Sequence, residues 1–452
     1  MTNSIFGTDG IRGRANEKPL DPESLVRLGK AIAKHFLVDS QRHTILIGKD
    51  TRLSGYMIEY ALASGLTAAG ANVYLTGPIP TAGVAYLTKS MRVDAGIMVS
   101  ASHNPYEDNG IKIFGEDGYK LPDEKEREIE ELFESDLKKT INVKPQSIGK
   151  IKRIDDALGR YLVSLKSFFP RQLSLKGMKI GVDCANGASY QVAPMLFDEL
   201  GADVVARGVS PSGKNINSGF GSLYPEIISK LVIEQNLDVG FSFDGDSDRI
   251  IVSDNKGNIL DGDQLLVLFA KYYQAKEKLS GNAIVATVMS NIGVDNYLKD
   301  YGISVIRSKV GDRYVLEELK KNNLSLGGEQ SGHIIFLDSS TCGDGILSGL
   351  KLLEIILESG KSLNQLLSDF HLFPQKLINL KVDKKVPFAE IAGYENLYKK
   401  IEKELLGKGR LLVRYSGTEN LVRILVEAEE AKLCEQYCSE LSDFLIKNLG
   451  KN

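Results

Sequence analysis

The chain has 452 residues, of which 42% are hydrophobic and 25% charged, values typical of a globular protein with several hydrophobic cores. A formal net charge of −3 offers no positive field to nucleic acid, and no apolar run approaches the roughly 18 residues that a membrane helix needs. The amino terminus lacks the pattern of a signal peptide, and the four cysteines are too scattered for a disulfide framework. We therefore expect a cytoplasmic protein that binds neither nucleic acid nor membranes.

Short apolar runs alternate with amphipathic stretches along most of the chain, a pattern typical of an α/β fold. A weak repeat predicts three similar units, each with a strand and loop followed later by a second strand that feeds a polar loop. The paired segments are TILIGKDTRLSG with DAGIMVSASHN, MKIGVDCANGAS with LDVGFSFDGDSDR, and NAIVATVMSNIG with LSLGGEQSGH. Open α/β sheets bind ligands beyond the carboxyl ends of their strands, so we expect the three polar loops to carry the chemistry.

The last part of the chain differs from these units. Two β-like runs flank a polar loop in RLLVRYSGTENLVRILVEA, and a helical pattern follows, which predicts a small α+β domain. The expected fold class is therefore α/β, with three similar mixed-sheet domains and a small C-terminal α+β domain. The predicted boundaries are residues 1–150, 151–255, 256–371 and 372–452.

The first polar loop is SASHNP, in which Ser102 precedes His103, and Lys112 follows further along the chain. A serine hydroxyl is a weak nucleophile unless a base or an electrophile assists it, and a histidine directly after the serine is poorly placed to deprotonate it. The G-x-S-x-G elbow of α/β-hydrolases is absent. Taken alone, the loop is explained more simply as a polar turn.

Three aspartates alternate in the second polar loop, at Asp244, Asp246 and Asp248. Like charges at this density repel one another unless a cation offsets them, and oxygen ligands from a short loop suit Mg²⁺. The loop is not an EF-hand, because Arg249 and Asn255 stand where that motif has glycine and glutamate. A solvated acidic turn is the alternative. Since Mg²⁺ usually takes phosphate oxygens as further ligands, one ion could join this loop to a phosphorylated serine.

The third and fourth polar loops carry groups suited to a sugar phosphate. Glu329 and Ser331, in GGEQSGH, could hydrogen-bond sugar hydroxyls, although a simple polar turn would also account for them. Arg414 and Arg423 flank the loop SGTEN; guanidinium groups bind phosphate in a bidentate manner, and turn amides form anion-binding nests. A charged hairpin without a ligand is the alternative for this segment.

The chain resembles the α-D-phosphohexomutase family along its whole length, through five motifs in the family's order: FGTDGIRG at 6–13, SASHNP, DGDSD, GEQSGH and RYSGTE. The resemblance is strongest to the members that act on glucosamine phosphates, through KVGDRYV, GGEQSGH and GDGI. It implies four domains around a central cleft and the interconversion of glucosamine 6-phosphate and glucosamine 1-phosphate. It further implies one Mg²⁺ per chain, a hexosamine 1,6-bisphosphate as intermediate or activator, and a homodimer as one option.

The resemblance also assigns roles to individual residues, grouped as metal ligands, proton-transfer or charge-supporting groups, substrate ligands and neighbours of the phosphoserine. Ser102 would carry the phosphoryl group and, with Asp244, Asp246 and Asp248, bind the metal. The proton-transfer or charge-supporting groups would be Lys112, His103, Arg249 and His333. The substrate ligands would be Glu329, Ser331, Arg414, Ser416, Gly417, Thr418 and Arg423, and the neighbours of the phosphoserine Thr8, Arg12 and Arg52. Lys112 is the first choice for the general acid/base, a role that requires a lowered lysine pKa, and His333 is the second.

Two departures from the family pattern stand out. Asn420 replaces the proline that usually ends the phosphate loop, and residues 219–224 read GFGSLY, where this branch tends to have CGSTH. Neither change removes a group assigned to chemistry. The competing functions are a phosphomannomutase or phosphoglucomutase, a metal-dependent phosphatase, and a sugar-phosphate binding protein without activity.

Overall fold

The computed structural model describes residues 4–7, 9–36, 43–135, 137, 143–415 and 420–450. It divides into two compact units. The first runs to Met289 and also includes Ile303–Ser368; the second contains Ser290–Gly302 and the chain from Asp369 onward. No helix in the described ranges is both long and apolar enough to cross a membrane.

A six-stranded mixed sheet forms the first domain, with the strand order β1-β5-β4-β2-β3-β6. Its strands are β1 (Ile11–Arg14), β2 (Thr44–Lys49), β3 (Asn72–Pro78), β4 (Ala95–Val99), β5 (Asp108–Gly115) and β6 (Ile151–Arg153), and its helices are α1 (Pro22–Phe36), α2 (Ser54–Ala68), α3 (Thr81–Ser90) and α4 (Asp123–Glu134). The predicted boundary after residue 150 falls just before β6, which pairs with β3. All three residues of β6 are exposed, so no apolar run marks this strand in the sequence.

The second domain is built on a five-stranded sheet with the order β11-β10-β9-β7-β8. The elements are α5 (Ala157–Ser167), β7 (Lys179–Asp183), α6 (Val192–Glu199), β8 (Asp203–Arg207), α7 (Pro225–Gln235), β9 (Val239–Phe243), β10 (Ile250–Asp254) and β11 (Ile259–Leu260). Apolar side chains of α7 pack against this sheet, so every residue of β9 is buried up to the point where the aspartate loop begins.

A four-stranded sheet follows in the third domain, with the order β13-β12-β14-β15. The elements are α8 (Gly262–Ala275), β12 (Ala283–Thr287), α9 (Ile292–Asp300), β13 (Ser304–Ser308), α10 (Asp312–Lys321), β14 (Leu326–Gly328), β15 (Ile334–Phe336), α11 (Gly345–Ser359) and α12 (Leu363–Leu366). Asp261 and Gln264 form a capping box at the start of α8, and Gly360, with φ of 63°, ends α11.

The predicted repeat is present in the strand pairing. In each of the three sheets, a central strand (β2, β7 or β12) pairs in parallel with the strand after it and with a third strand, which then pairs antiparallel with a fourth (β5, β10 or β15). The turn after each central strand also repeats, since a side-chain oxygen accepts a hydrogen bond from the backbone N–H two residues on. The acceptors are Asp50 (2.9 Å), Asp183 (3.0 Å) and Thr287 (3.2 Å).

The C-terminal domain contains an antiparallel three-stranded sheet, as the alternating sequence predicts. Its elements are β16 (Gln375–Lys381), α13 (Tyr394–Glu404), β17 (Gly409–Tyr415), β18 (Leu421–Ala428) and α14 (Ala431–Leu449), with β18 in the centre of the sheet. In the same compact unit, Asn291 exchanges two hydrogen bonds of 3.0 Å with the backbone of Phe373, which ties the start of α9 to this domain. The predicted fold class, α/β with a small α+β domain, is confirmed.

Candidate active site

Ser102 lies in the loop after β4, an inner strand of the first sheet that pairs in parallel with β2 and antiparallel with β5. It is 1% exposed and has a φ of 53°, a left-handed conformation that is costly for a residue with a side chain. Its hydroxyl donates to Asp244 Oδ2 at 2.7 Å and lies 3.2 Å from His103 Nδ1. The first and second polar loops, 142 residues apart in sequence, therefore meet at the Ser102 side chain.

Arg52 holds the backbone of the serine loop from behind. Its fully buried guanidinium donates from Nη2 to the carbonyl oxygens of Ser102 and Asn104, both at 2.8 Å, and from Nη1 to the carbonyl of Pro105. Asp50 accepts from Arg52 Nε at 2.9 Å and fixes the guanidinium in place. Arg52 is near Ser102, as predicted, but its donors are committed to the peptide backbone, so its contribution is to shape the loop.

The three aspartates form one cluster, in which a carboxylate oxygen of each lies within 4.8 Å of the others. Asp246 Oδ2 accepts from Thr81 Oγ1 at 2.7 Å and from Lys112 Nζ at 3.0 Å. By contrast, Asp246 Oδ1 and Asp248 Oδ1 are buried and accept no hydrogen bond from any residue in the described ranges. Buried carboxylate oxygens without donors are costly, and a hard divalent cation would satisfy them, so the cluster fits a metal ion.

The pKa of Asp244 reports the crowding of negative charge. Burial raises it well above the ordinary value, and the neighbouring carboxylates of Asp248 and Asp246 raise it further. The positive charge of Arg249 and the hydrogen bond from Ser102 act in the opposite direction but do not cancel the effect. A cluster in which one carboxyl resists ionisation is one that binds a cation favourably.

Lys112 extends from β5 into this cluster and is 2% exposed. Its ammonium lies 3.0 Å from Asp246, 3.4 Å from Asp248 and 3.4 Å from Asp9. Burial alone would lower the pKa of Lys112, but these carboxylates outweigh it and raise the pKa well above the ordinary value. With these partners Lys112 is an ammonium at neutral pH, which suits charge stabilisation and proton donation better than proton abstraction.

The loop between β14 and β15 supplies the opposite side of the site. Glu329 accepts from the backbone N–H of Gly311 at 2.9 Å and from Ser331 Oγ at 3.3 Å, so its carboxylate is oriented by two donors. His333 Nδ1 lies 3.6 Å from Asp248 Oδ2. Burial lowers the pKa of His333, but the nearby carboxylates, Asp248 first, raise it overall. The predicted sugar loop and aspartate loop are thus neighbours.

His103 and Arg249 lie beside each other in the cleft. Burial and the positive charges of Arg249 and Arg12 lower the pKa of His103 to about 4, so this imidazole is neutral at neutral pH. The guanidinium of Arg249 is mostly buried, and its Nε makes no hydrogen bond within the part of the chain that the structure describes. A buried cationic donor without an acceptor is suited to an anionic ligand.

A second group of charged residues borders the site. Asp9 pairs with Arg12 at 2.5 Å and with Lys120 at 2.5 Å, and Lys120 also pairs with Asp312, at the start of α10. Burial would raise the pKa of Asp9, but Lys112, Lys120 and Arg12 together lower it. The prediction that Arg12 belongs to this region fits its position, whereas Thr8 lies outside the described residues.

These groups line one cleft of about 490 Å³ within the first compact unit. Its lining includes Ser102, His103, Asp248, Arg249, Glu329 and His333 from the three polar loops, and Asp9, Arg12, Gly311 and Asp312 from the amino-terminal motif and the segment before α10. The cleft has the size of a small-molecule site.

The predicted phosphate loop belongs to the second compact unit. Arg414 and Arg423 are directly opposite each other on β17 and β18. Burial lowers the pKa of Arg414, and the charge of Arg423 lowers it further; like charges opposite each other destabilise an antiparallel pair. Arg423 Nε is buried and makes no hydrogen bond with the described residues, so the pair is ready for an anion. Ser416, Gly417 and Thr418 lie outside the described residues.

Comparison with known proteins agrees with this arrangement. Four domain models of the phosphoglucomutase/phosphomannomutase family match the chain: alpha/beta/alpha domain I at residues 3–140, domain II at 159–257, domain III at 261–373 and the C-terminal domain at 377–444. The chain belongs to this family. It is therefore related to phosphohexomutases over all four domains, and the predicted family is confirmed.

Individual relatives extend the comparison. The chain is 49% identical over 449 residues to a phosphoglucosamine mutase of Myxococcus xanthus, covering 99% of this chain and 98% of the relative. Its fold is similar to a family member from Burkholderia thailandensis, with a TM-score of 0.81 and coverage of 99% and 98%. It is also similar to Aspergillus fumigatus N-acetylphosphoglucosamine mutase in complex with GlcNAc-6P and magnesium, with a TM-score of 0.65 and coverage of 98% and 95%. At 24% and 18% sequence identity, these two structures support the assignment of the fold alone.

Sequence reasoning did not single out several residues of this phosphohexomutase cleft. Thr81 contacts Asp246, and Asp9 contacts Arg12 and Lys112. Asp312 contacts His333, and Lys120 pairs with both Asp9 and Asp312. Asp9 lies inside the motif FGTDGIRG and Asp312 inside KVGDRYV, so both could have been predicted as site residues from those motifs. Thr81 and Lys120 lie outside the motifs that carried the resemblance.

Proposed function

We propose that this phosphohexomutase is a phosphoglucosamine mutase, which interconverts glucosamine 6-phosphate and glucosamine 1-phosphate through a phosphorylated Ser102. One observation carries the chemistry: a buried serine hydroxyl lies 2.7 Å from Asp244, which belongs to a cluster of three aspartates that Lys112 also contacts. The amino-sugar preference rests on whole-length similarity to phosphoglucosamine mutases.

Mg²⁺ is the cofactor that fits the aspartate cluster. Asp244, Asp246 and Asp248 offer oxygen ligands close together, and two of their oxygens are buried without a donor from the part of the chain that the structure describes. A phosphoserine oxygen at Ser102 would complete the protein's contribution. When bound, a divalent cation offsets negative charge on the oxygens of the transferring phosphoryl group.

The reaction would proceed in two phosphoryl transfers. In the first, a free hydroxyl of the hexosamine phosphate attacks the phosphorus on Ser102; the bond between phosphorus and Ser102 Oγ breaks, the sugar hydroxyl loses its proton, and Ser102 Oγ gains one. The product is a hexosamine 1,6-bisphosphate. In the second, Ser102 Oγ loses its proton and attacks the other phosphate; the bond between that phosphorus and the sugar oxygen breaks, the sugar oxygen gains a proton, and the phosphoserine is restored. Such transfers depend mostly on positioning and charge stabilisation.

The residues of the cleft and those of the C-terminal domain have separate roles in this proposal. Glu329 and Ser331 bind sugar hydroxyls, and Lys112 stabilises charge on the transferring group and donates the proton to the leaving oxygen. Arg12, His103 and Arg249 surround the phosphoryl group on Ser102. His333 lies between the carboxylates of Asp248 and Asp312. Arg414 and Arg423, with the predicted Ser416, Gly417 and Thr418, bind the phosphate that does not react.

A panel assay tests the function. Purified protein with Mg²⁺ and a sugar 1,6-bisphosphate is given glucosamine 6-phosphate, glucose 6-phosphate or mannose 6-phosphate, and formation of each 1-phosphate is measured. The proposal predicts the highest kcat/KM with glucosamine 6-phosphate. Preference for glucose or mannose would indicate a phosphoglucomutase or phosphomannomutase, and release of inorganic phosphate alone would indicate a phosphatase. Cytoplasmic location and a homodimer stay predictions.

A further inference from the structure

The loop before α7 reaches across to the serine loop of the first domain. Its residue Asn217 is 6% exposed and has a φ of 58°, a left-handed conformation that asparagine tolerates better than most residues. Its own backbone N–H donates to Ala185 O at 2.9 Å, inside the second domain. The backbone is thus anchored in one domain while the side chain points toward another.

The amide of Asn217 contacts the backbone around the reacting serine. Its Nδ2 donates to Ser102 O at 2.9 Å and to Asn104 O at 3.1 Å. These are the same two carbonyl oxygens that Arg52 Nη2 binds, both at 2.8 Å, from within the first domain. Each carbonyl is therefore held by one donor from its own domain and one from the domain that carries the aspartate cluster.

The packing leaves little room for this contact to shift. A side chain at Gly245, next to Asp244, would begin 2.5 Å from Ser102 O and 2.8 Å from Asn217 Nδ2. Glycine is therefore required where the aspartate loop passes over the two groups. Asn217, Gly245 and the backbone of Ser102 form one contact layer directly behind the hydroxyl that faces Asp244.

We propose that Asn217 is a positioning residue for phosphoryl transfer: its amide fixes the left-handed Ser102 so that Oγ faces the aspartate cluster. Arg52 alone can hold the loop to its own domain, but only Asn217 among these donors ties the loop to the second domain. Reacting groups held in a strained geometry need such support, because small misplacements of reacting atoms are costly. This inference rests on the proposed function, which supplies the phosphoryl transfer; the choice of Asn217 rests on its hydrogen bonds to the serine loop.

Three variants test the role of Asn217. Asn217→Ala removes the donor, and the isosteric Asn217→Asp places a carboxylate against two carbonyl oxygens. Asn215→Ala is the matched control, because among the described residues the Asn215 side chain bonds only to Ser210 and Ser212 of its own loop. The measurements are kcat and KM for glucosamine 6-phosphate, the rate of Ser102 phosphorylation by glucose 1,6-bisphosphate, followed by intact mass, and thermal stability.

Asn217→Ala is expected to lower kcat and the rate of Ser102 phosphorylation by about tenfold or more, with KM nearly unchanged, and Asn217→Asp to lower both further. Asn215→Ala should behave like wild type. The inference is overturned if Ser102 is phosphorylated and substrate is turned over at wild-type rates in Asn217→Ala. It is also overturned if Asn215→Ala loses as much of both rates as Asn217→Ala. Should the Ala variant fail to fold, the Asp variant decides by the same criteria.

The same experiment separates this inference from the proposed function. A wild-type protein that accepts a phosphoryl group on Ser102 but converts no glucosamine 6-phosphate would refute the proposed substrate, while the phosphorylation rates of the variants would still decide the role of Asn217. A wild-type protein that takes no phosphoryl group on Ser102 would refute both.

Discussion

Ser102 combines a left-handed backbone with full burial, and its hydroxyl points at an aspartate. Such a conformation costs on the order of 1–3 kcal/mol and persists only where surrounding contacts enforce it. Here the enforcing contacts are Arg52, Asn217 and Ser100, whose Oγ accepts from the Ser102 N–H at 2.9 Å. The strain and its support indicate a residue whose position matters more than its contribution to stability.

Ser102→Ala is expected to abolish mutase turnover and phosphorylation by a sugar bisphosphate, because the hydroxyl that accepts the phosphoryl group is gone. Ser102→Gly should be equally inactive and removes the left-handed strain, so loss of activity in both cannot be attributed to misfolding. Ser90→Ala, at the exposed end of α3, serves as the control. Near-wild-type activity in Ser102→Gly would contradict the phosphoserine mechanism.

Asp246→Asn is expected to weaken Mg²⁺ dependence and activity together, because one anionic ligand of the cluster is lost while the contacts with Thr81 and Lys112 can be kept in part. Activity measured against Mg²⁺ concentration should show a higher half-saturating concentration than wild type. A chelator should stop the wild-type reaction. Turnover that persists in excess chelator would show that no metal is required.

At the residue scale, the alternating aspartates were enough to predict an acidic cluster, because repulsion between like charges is a local property. That this cluster would lie near Ser102 was expected from the preference of Mg²⁺ for phosphate oxygens. The sequence did not predict that the Arg52 guanidinium would donate to carbonyl oxygens of the serine loop, nor that the pKa of Lys112 would be raised. Both depend on partners contributed by distant parts of the chain.

At the scale of the elements, the cleft is formed by loops that follow the carboxyl ends of strands. β4, β9 and β14 occupy equivalent positions in their sheets, and the polar loop after each contributes to the cleft. The repeat in the sequence was enough to predict this, since parallel strands of similar units deliver their loops to the same edge. The strand β6 was not predicted, because its three residues are exposed and lack an apolar pattern.

The strand pair β17–β18 presents two arginines at one register position, Arg414 opposite Arg423. Arg423→Lys is expected to raise the KM for sugar phosphate, since lysine cannot reproduce bidentate phosphate binding. The loss should be on the order of 1.5–3 kcal/mol, or roughly 10- to 150-fold in kcat/KM. Ser102 phosphorylation at saturating sugar bisphosphate should stay largely intact, because the serine and the aspartate cluster belong to other domains.

Arg207→Lys, at an exposed position on β8, is the matched control for Arg423→Lys. Unaltered kinetics in Arg423→Lys would show that the substrate phosphate binds elsewhere.

Asp344 caps the amino terminus of helix α11; its carboxylate accepts from Leu347 N–H at 2.9 Å and from Tyr161 Oη at 2.7 Å. Burial raises the pKa of Asp344 to about 6. A carboxyl with a raised pKa in the folded state stabilises the fold when protonated, so this contribution is present at low pH and is lost as pH rises from about 4 to about 6.

Asp344→Asn should therefore be more stable than wild type at pH 7.5, by on the order of 1–3 kcal/mol, because asparagine caps the helix without burying a charge. Near pH 4 the two proteins should be almost equal in stability. Thermal unfolding of both proteins across this pH range checks the prediction. A stability difference that does not change with pH would show that Asp344 does not titrate in this window.

At the scale of the whole molecule, four domains were predicted from one repeat and one change of pattern, and the fold class is confirmed. The compact units follow a different division, because Ser290–Gly302 groups with the C-terminal domain. The contact between Asn291 and Phe373 joins residues 82 apart, which no local pattern reveals. The domain boundaries proposed from the sequence stay predictions at the level of single residues.

A single-turnover transfer tests the central claim most directly. Protein phosphorylated on Ser102, freed of excess bisphosphate and supplied with Mg²⁺, is mixed with glucosamine 6-phosphate, and the phosphoryl group is followed over time. The account predicts that it leaves Ser102 and enters glucosamine 1,6-bisphosphate, and that glucosamine 1-phosphate follows as Ser102 is phosphorylated again. A phosphoryl group that stays on the protein, or is released only as inorganic phosphate, would contradict it.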